Sequence, residues 1–155
     1  MPFFVIFVTL KNKKMYTFVQ KFHSGWAYVA LLLLVFAVVN SFLGKSSKKE
    51  FTAKDRKIAL FGLIATHIQL VVGLILYFVS PLGSASIGQM AESDVRLTWL
   101  EHPIINILAI VLITIGWSKH KREESNNGKF KKIALFYLLG LVLLLAMIPY
   151  KQWLG

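Results

Sequence analysis

The 155-residue chain is 56% hydrophobic, only 16% charged and has a mean hydropathy of +0.62, which is typical of an integral membrane protein rather than a soluble domain. It contains no cysteine, which excludes thioether-attached haem, iron–sulfur clusters, disulfides and a thiol nucleophile. The net charge of +11 is concentrated in short patches, so we attribute it to membrane topology and contact with anionic lipid rather than to nucleic-acid binding.

The first residues form an apolar stretch of doubtful origin. The segment PFFVIFVTL is too short to span a bilayer and lacks the basic region that precedes a signal-peptide core. MYTFVQKFH, from Met15, reads as a plausible start of the protein. We therefore interpret residues 1–14 as an N-terminal extension that need not belong to the natural protein, and residues 15–155 as a membrane domain.

Four hydrophobic runs follow, and each is long enough to cross a bilayer as a helix of about 20 residues. Helices are expected because backbone polar groups in lipid must be satisfied within the segment. The sequence therefore predicts an all-α fold, an integral membrane four-helix bundle with spans at about Phe22–Leu43, Ile58–Val79, Trp99–Ser118 and Ile133–Ile148.

The connecting loops differ sharply in charge. The loops after the first and third spans are rich in lysine and arginine, whereas the loop after the second span has only Arg96, beside Glu92 and Asp94. The positive-inside rule makes the first and third loops cytoplasmic in a bacterial inner membrane, with both termini outside. Four lysines ahead of the first span oppose this orientation: Lys11, Lys13, Lys14 and Lys21.

The chain also repeats itself. KIALF occurs at residues 57–61 and again at 132–136, each time after a basic loop and at the start of an even-numbered span. His23 and His102 each open an odd-numbered span. We interpret this as a tandem duplication of a two-helix unit, with copies at about residues 22–80 and 99–150. Copies of equal orientation are related by a pseudo-two-fold axis along the membrane normal.

In such a bundle the first and third spans are diagonal neighbours, so His23 and His102 face each other near the outer surface. Two neutral imidazoles on opposite sides are what a six-coordinate haem iron needs. The spacing and the repeat therefore predict a bis-histidine haem b site. The alternative is that both are interfacial histidines whose polar edges reach water.

Residues around His102 have candidate supporting roles. Glu101 is a candidate hydrogen-bond partner for a ligating imidazole. Arg96 could pair with haem propionates or, alternatively, with Asp94. Pro103 reads as a first-turn proline, and Asn106, like Asn40, reads as a hydrogen-bonding group of the bundle rather than as a ligand.

The other two histidines differ from this pair. His67 lies near the midplane, about 15 Å along the helix from the basic loop, where an ionisable group is by default functional. It could be a reserve haem ligand, a quinone contact or a proton relay. Alternatively it makes an interhelical hydrogen bond, helped by Thr66 and Gln69. His120 is surrounded by charged residues in SKHKREE, so we expect a solvated loop histidine.

Several segments carry a family resemblance: FHSGWAYVALLLLVFAVVN, THIQLVVGLILYFVSP, EHPIINILAIVLITIGWSKHK and KKIALFYLLGLVLLL. Over residues 15–155 the chain resembles small four-span membrane proteins of flavobacteria and their relatives that are labelled cytochrome b-like, which implies haem b. It is more distantly similar to one half of the haem A synthase bundle. It departs from that enzyme in having half the spans and no glutamate just before His23, where Gln20 is nearest, so enzymatic haem modification is not expected.

These observations lead to two hypotheses. The first is an electron carrier or haem-carrying subunit rather than an enzyme, with the redox chemistry supplied by the haem. The second is a non-haem accessory or scaffold protein that packs against a larger membrane complex. Lipid, a larger complex or further copies of the chain are the expected partners, with quinone as a further candidate ligand.

Overall fold

A computed structural model describes the backbone of residues 2–154 and the side chains of residues 13–153. Over this part of the chain the regular secondary structure is entirely helical, with a single 3-10 turn at Ser84–Ser86. The helices are α1 (Pro2–Ser46), α2 (Ala53–Val79), α3 (Ser93–Lys121), α4 (Asn126–Ala146) and α5 (Tyr150–Leu154).

The helix ends follow local signals in the sequence. The side chain of Thr52 accepts a hydrogen bond from the backbone N–H of Asp55, whose carboxylate accepts one from the backbone N–H of Thr52, and this capping box starts α2. Ser125 caps α4 in the same way by accepting a bond from the backbone N–H of Gly128. Helix α2 stops at Val79 because Ser80 precedes Pro81 and is extended.

Helix α3 is continuous but changes its winding in the middle. Residues Leu97–Glu101 form a π-helical turn between the α-helical segments Ser93–Arg96 and His102–Lys121. Pro103 lacks an N–H and crowds the carbonyl one turn earlier, so a widened turn just before it relieves the helix. Helix α3 begins at Ser93, ahead of the predicted start at Trp99. Pro103 lies in the first turn of the second α-helical segment, in agreement with its interpretation as a first-turn proline.

The four long helices pack in a cycle. Helix α1 packs against α2 and α4, and α3 packs against α4 and α2, which leaves α1 and α3 diagonally opposite. The central contacts come from small and branched side chains, a pattern that lets helices approach closely. The buried core contains Leu34, Ala37 and Val38 of α1, Ala59 of α2, Ile113 of α3, and Ile133, Tyr137 and Leu141 of α4.

Many large apolar side chains face away from this core. Phe18 of α1 is 70% exposed and Phe78 of α2 is 72% exposed, and similar side chains cover the outer faces of the long helices. A soluble protein rarely exposes apolar surface on this scale, whereas lipid is a suitable solvent for it.

Three helical segments of the described chain are long and apolar enough to cross a membrane: Lys13–Ser46, Ala53–Val79 and Ser93–Lys121. They contain the first three predicted spans. The fourth predicted span begins inside α4, which ends at Ala146 rather than at the predicted Ile148. Helix α4 is shorter than the other three and carries Lys129, Lys131 and Lys132 near its start, so its uncharged run covers only residues 133–146. Its crossing of the membrane stays a prediction.

The first helix is longer than predicted. Helix α1 begins at Pro2, so the residues interpreted as an extension continue the helix that contains the first span. The backbone alone is described for residues 2–12.

Candidate functional site

The structure brings His23 of α1 and His102 of α3 together. Their ring centres are 6.3 Å apart and their planes are nearly perpendicular, at 80°. The two residues lie on diagonal helices, so their side chains meet in the middle of the helix cluster near one of its ends. Both are partly buried.

The rings lie in an apolar cavity of about 210 Å³ at this end of the molecule. All four long helices contribute to its walls, and so do Gln152 and Trp153 of α5. The indole N–H of Trp153 donates to the carbonyl of Ser24 at 3.2 Å, which holds α5 against α1. The apolar walls include Ala27, Leu31, Leu70, Leu74, Ile110 and Leu144.

His102 is held by a defined pair of partners. Its Nδ1 lies 2.7 Å from the main-chain carbonyl of Met147, and because a carbonyl only accepts, Nδ1 carries the proton. In the neutral ring Nε2 then carries the lone pair, and the Asn106 amide nitrogen lies close to both ring nitrogens, 3.0 Å from Nε2 and 3.1 Å from Nδ1. The sequence predicted that Asn106 is a hydrogen-bonding group of the bundle rather than a ligand; the structure shows its amide nitrogen in contact with His102 of its own helix.

The local fold explains why His102 can reach Met147. The π turn ends at Glu101, directly before His102, so it sets the angle from which this side chain leaves α3. Met147 follows the last residue of α4, where helical carbonyls lack intrahelical partners. The ring of His102 therefore satisfies an acceptor at this helix end.

His23 is held differently. The Gln69 amide donates to the main-chain carbonyl of His23 at 3.0 Å, which fixes the amide nitrogen on the His23 side. The same nitrogen is 3.4 Å from His23 Nε2, a long contact. On its other side the ring lies against Gly73, where an added Cβ would be 3.0 Å from His23 Cε1. The absence of a side chain at Gly73 leaves room for the ring.

Unpaired polar atoms are concentrated at this place. Among the described side chains, the buried nitrogen and oxygen atoms without a hydrogen-bond partner are His23 Nδ1, Gln69 Oε1 and Asn106 Oδ1. Buried polar atoms in native proteins are nearly always paired, directly or through water, so three such atoms around one cavity mark it as a place that could hold water or a polar ligand.

His67 lies outside this cavity. Its Nδ1 is 2.8 Å from the Leu63 carbonyl of its own helix and its Nε2 is 3.3 Å from the Thr114 hydroxyl of α3. The Nδ1 contact lies within α2, and only the Nε2 contact with Thr114, whose hydroxyl also donates to the Ile110 carbonyl at 2.7 Å, links α2 to α3. Thr66 and Gln69 do not assist this link, because the Thr66 hydroxyl bonds to the Gly62 and Leu63 carbonyls and Gln69 bonds to His23.

The prediction for His120 is wrong. Its side chain is buried, with its ring 4.5 Å from that of Trp117 and 5.7 Å from that of Phe51. Nδ1 of His120 contacts the Trp117 carbonyl. Phe51 comes from the loop between α1 and α2, which is anchored here by a bond from the Phe51 N–H to Asn126 Oδ1. The charged neighbours of His120 in the sequence give no sign that Phe51, from a different loop, buries its side chain.

The charged residues near His102 pair among themselves. Arg96 Nε donates to Glu101 Oε1 at 2.7 Å, and Arg96 Nη1 donates to the Met90 carbonyl at 3.0 Å. Asp94 pairs with Lys151 at 2.9 Å instead of with Arg96. The carboxylate of Glu101 is thus engaged by Arg96. We expected Glu101 to bond to the His102 ring, but the Met147 carbonyl takes that place.

The described residues contain no group of three or more His, Cys, Asp or Glu side chains able to hold a metal ion. The candidate site is a histidine pair with two carboxamides. Sequence reasoning missed the contact between Gln69 and His23. The sequence feature that pointed to this contact was the presence of a polar residue, Gln69, within an apolar span.

Comparison with protein-family models, curated proteins and solved structures finds no match to this chain. The resemblance to cytochrome b-like membrane proteins therefore stays a prediction.

Proposed function

We propose that this protein binds haem b through His23 and His102 and serves as an electron-transfer or haem-carrying membrane subunit. The observation that carries the proposal is the separation of the two rings, 6.3 Å between centres. Two imidazoles that meet in one apolar cavity are the side chains that would hold a haem iron there.

The composition of the site favours haem over a bare metal ion. Two imidazoles alone leave most positions on an ion unfilled, whereas the haem macrocycle supplies four nitrogens itself. The cavity walls are apolar, which suits a tetrapyrrole, and His23 Nδ1 lacks a partner there. A haem exceeds the cavity volume of about 210 Å³, so its edge has to extend beyond the cavity or the side chains around it have to move.

When bound, the haem supplies one-electron chemistry, and the protein supplies ligation, orientation and an apolar surrounding. Here His102 is oriented by Met147, and His23 approaches from the diagonal helix. Arg96 is already paired with Glu101, so a contact between Arg96 and a haem propionate requires that ion pair to open or to share its donors. A quinone at His67 has less support, because His67 lies outside the cavity and its Nδ1 contacts the Leu63 carbonyl of its own helix.

We further propose a four-span arrangement in a bacterial inner membrane, with α4 as the fourth span and both termini outside. The cyclic packing of the long helices supports it, because the two closest pairs, α1 with α2 and α3 with α4, correspond to the two predicted repeat units. Basic loops at one end would then meet anionic lipid, and the outer helix faces would meet acyl chains, further copies or a larger complex.

An absorbance spectrum of the purified protein in detergent tests the haem proposal. Bis-imidazole haem b gives sharp bands when reduced, and we expect His23→Ala and His102→Ala each to abolish this six-coordinate spectrum. His67→Ala, which changes a histidine outside the cavity, is the matched control and should keep it. A colourless protein that takes up no added haem would refute the proposal and favour the accessory or scaffold hypothesis.

A further inference from the structure

The cavity around His23 and His102 has the lining and the size for a small neutral molecule. Among the described residues that line it there is no Asp, Glu, Lys or Arg, and most of the wall is apolar. An ion would lose its hydration there without gaining a charged partner, which is very costly. An apolar cavity of about 150 Å³ in another protein binds benzene, so about 210 Å³ is enough for one six-membered ring with small substituents.

Two hydrogen-bond acceptors in the cavity wall have no partner. The amide nitrogen of Gln69 donates to the main-chain carbonyl of His23 at 3.0 Å, which leaves the amide oxygen as the unpaired atom. The amide nitrogen of Asn106 lies 3.0 Å from Nε2 of His102, which carries the lone pair because Nδ1 donates to the Met147 carbonyl. The hydrogen-bond network therefore fixes the oxygen of Asn106 as the second unpaired acceptor.

These unpaired atoms determine the chemistry of the molecule that would satisfy them. A carboxamide oxygen only accepts, so a partner of Gln69 and Asn106 has to donate hydrogen bonds. A hydroxyl group does so, and its oxygen can also accept a bond from the third unpaired atom, His23 Nδ1, when that nitrogen carries the proton. A carbonyl group cannot donate, so it would leave both amide oxygens unpaired in a buried site.

Water is the competing occupant, because ordered water also pairs buried polar atoms. Water would leave the apolar part of the wall uncovered, which includes Ala27, Leu31, Leu70 and Leu74. A hydroxylated ring covers this apolar surface and pairs the polar atoms at the same time, so it suits the whole lining better than water does.

We propose that this cavity binds a neutral molecule of one-ring size that bears hydroxyl groups, the chemistry of phenols and hydroquinones. The side-chain oxygens of Gln69 and Asn106 accept hydrogen bonds from its hydroxyl groups, and the binding changes no covalent bond. The proposal does not depend on haem. A ring of this kind does not exceed the cavity volume, and while bound it excludes haem from the same space.

Calorimetric titration in detergent tests the proposal, with protein from haem-deficient cells whose absorbance spectrum shows no haem. The probes are trimethylhydroquinone kept reduced, trimethylbenzoquinone as its oxidised form, and the same trimethylbenzene without hydroxyl groups. We expect the hydroquinone to bind about tenfold more tightly than each of the other two, or more, because neither of them donates a hydrogen bond. Nitrogen-15 shifts of the His23 ring should move when the hydroquinone is added, which distinguishes entry into the cavity from uptake by the detergent.

Variants of the two carboxamides test the assigned contacts. Gln69→Met and Asn106→Leu each remove one acceptor and should weaken hydroquinone binding about threefold to tenfold. Their affinity for trimethylbenzene should be unchanged, which distinguishes the loss of an acceptor from a distorted cavity. Gln89→Met, at an exposed carboxamide outside the cavity, is the control and should keep the affinity for every probe.

A hydroquinone with a decyl tail identifies the source of the ring. If the tailed probe moves the His23 shifts as trimethylhydroquinone does, the ligand is a quinol drawn from the membrane. If only the tailless probe does so, the ligand is a small free phenol.

Three results would overturn the proposal. Equal affinity for the three probes would show that the cavity selects only for apolar surface. Tighter binding of the quinone would contradict the assignment of the unpaired atoms as acceptors. Unmoved His23 shifts with every probe would show that water alone fills the cavity. None of these results decides whether haem binds, which the absorbance spectrum of protein from haem-replete cells tests separately.

Discussion

The hydroxyl of Tyr137 donates to the main-chain carbonyl of Ala59 at 3.0 Å, across the centre of the helix cluster from α4 to α2. Tyr137 is completely buried and belongs to the core that all four long helices share. The bond joins two helices that are diagonal in the packing cycle, so it ties the two hairpins of the fold together.

Tyr137→Phe should destabilise the protein by about 1 kcal/mol, because it removes this buried hydrogen bond and leaves little else changed. Unfolding in mixtures of mild detergent and dodecyl sulfate measures the change. Tyr28→Phe, at a half-exposed tyrosine that stacks on Trp153, is the matched control and should have a smaller effect. Equal losses in the two variants would show that the Ala59 bond contributes no more than a surface hydroxyl.

Asp55 organises the turn between α1 and α2. Its carboxylate is almost fully buried and accepts bonds from Lys49 Nζ, Asn40 Nδ2 and both the N–H and hydroxyl of Thr52. It therefore joins the end of α1 to the start of α2.

Asp55→Ala should cost about 2–3 kcal/mol in stability, because it removes the capping box and leaves the Asn40 and Thr52 donors without their acceptor. Lys49 contributes less to this loss because its side chain is 44% exposed and can return to water. The same detergent titration measures it, with Glu50→Ala at an exposed position beside it as the control. A loss no larger than that of Glu50→Ala would contradict the assigned role.

Gly73 provides the space for the His23 ring. A methyl group at Gly73 would approach His23 Cε1 to 3.0 Å, so Gly73→Ala should displace the ring and change its nitrogen-15 shifts. Gly25→Ala is a matched control in another helix, since an added Cβ there meets nothing within 4 Å. That control should raise stability by up to about 1 kcal/mol through helix propensity. Unchanged His23 shifts in Gly73→Ala would show that the ring is not confined by this contact.

The membrane topology can be tested by labelling single cysteines, because the natural chain has none. We expect a membrane-impermeant maleimide to label Ala91→Cys in intact spheroplasts, and to label Ser47→Cys and Asn127→Cys only after lysis. All three positions are exposed. The reverse pattern would show that the basic loops face outward, and labelling of Ser47 and Asn127 from opposite sides would exclude four spans.

Sequence reasoning located most of the helical segments and left their ends uncertain. Hydropathy identified the apolar runs, but it did not show that α3 starts at Ser93 or that a π turn precedes Pro103, because these depend on how the chain relieves a missing hydrogen bond. From the repeat, it predicted that His23 and His102 lie at equal depth in the membrane. The ring separation and the partners of each ring came from the packing.

The sequence by itself determined that this chain is helical and too apolar for water, because those properties follow from residue composition and from hydrophobic runs as long as a bilayer is thick. Only the tertiary structure decided which polar groups meet. Gln69 turns to His23 and not to His67, Met147 receives His102 in place of Glu101, and Phe51 covers His120. These contacts join residues from different helices and loops, so their formation depends on the angle and rotation of each packed helix, which no local pattern specifies.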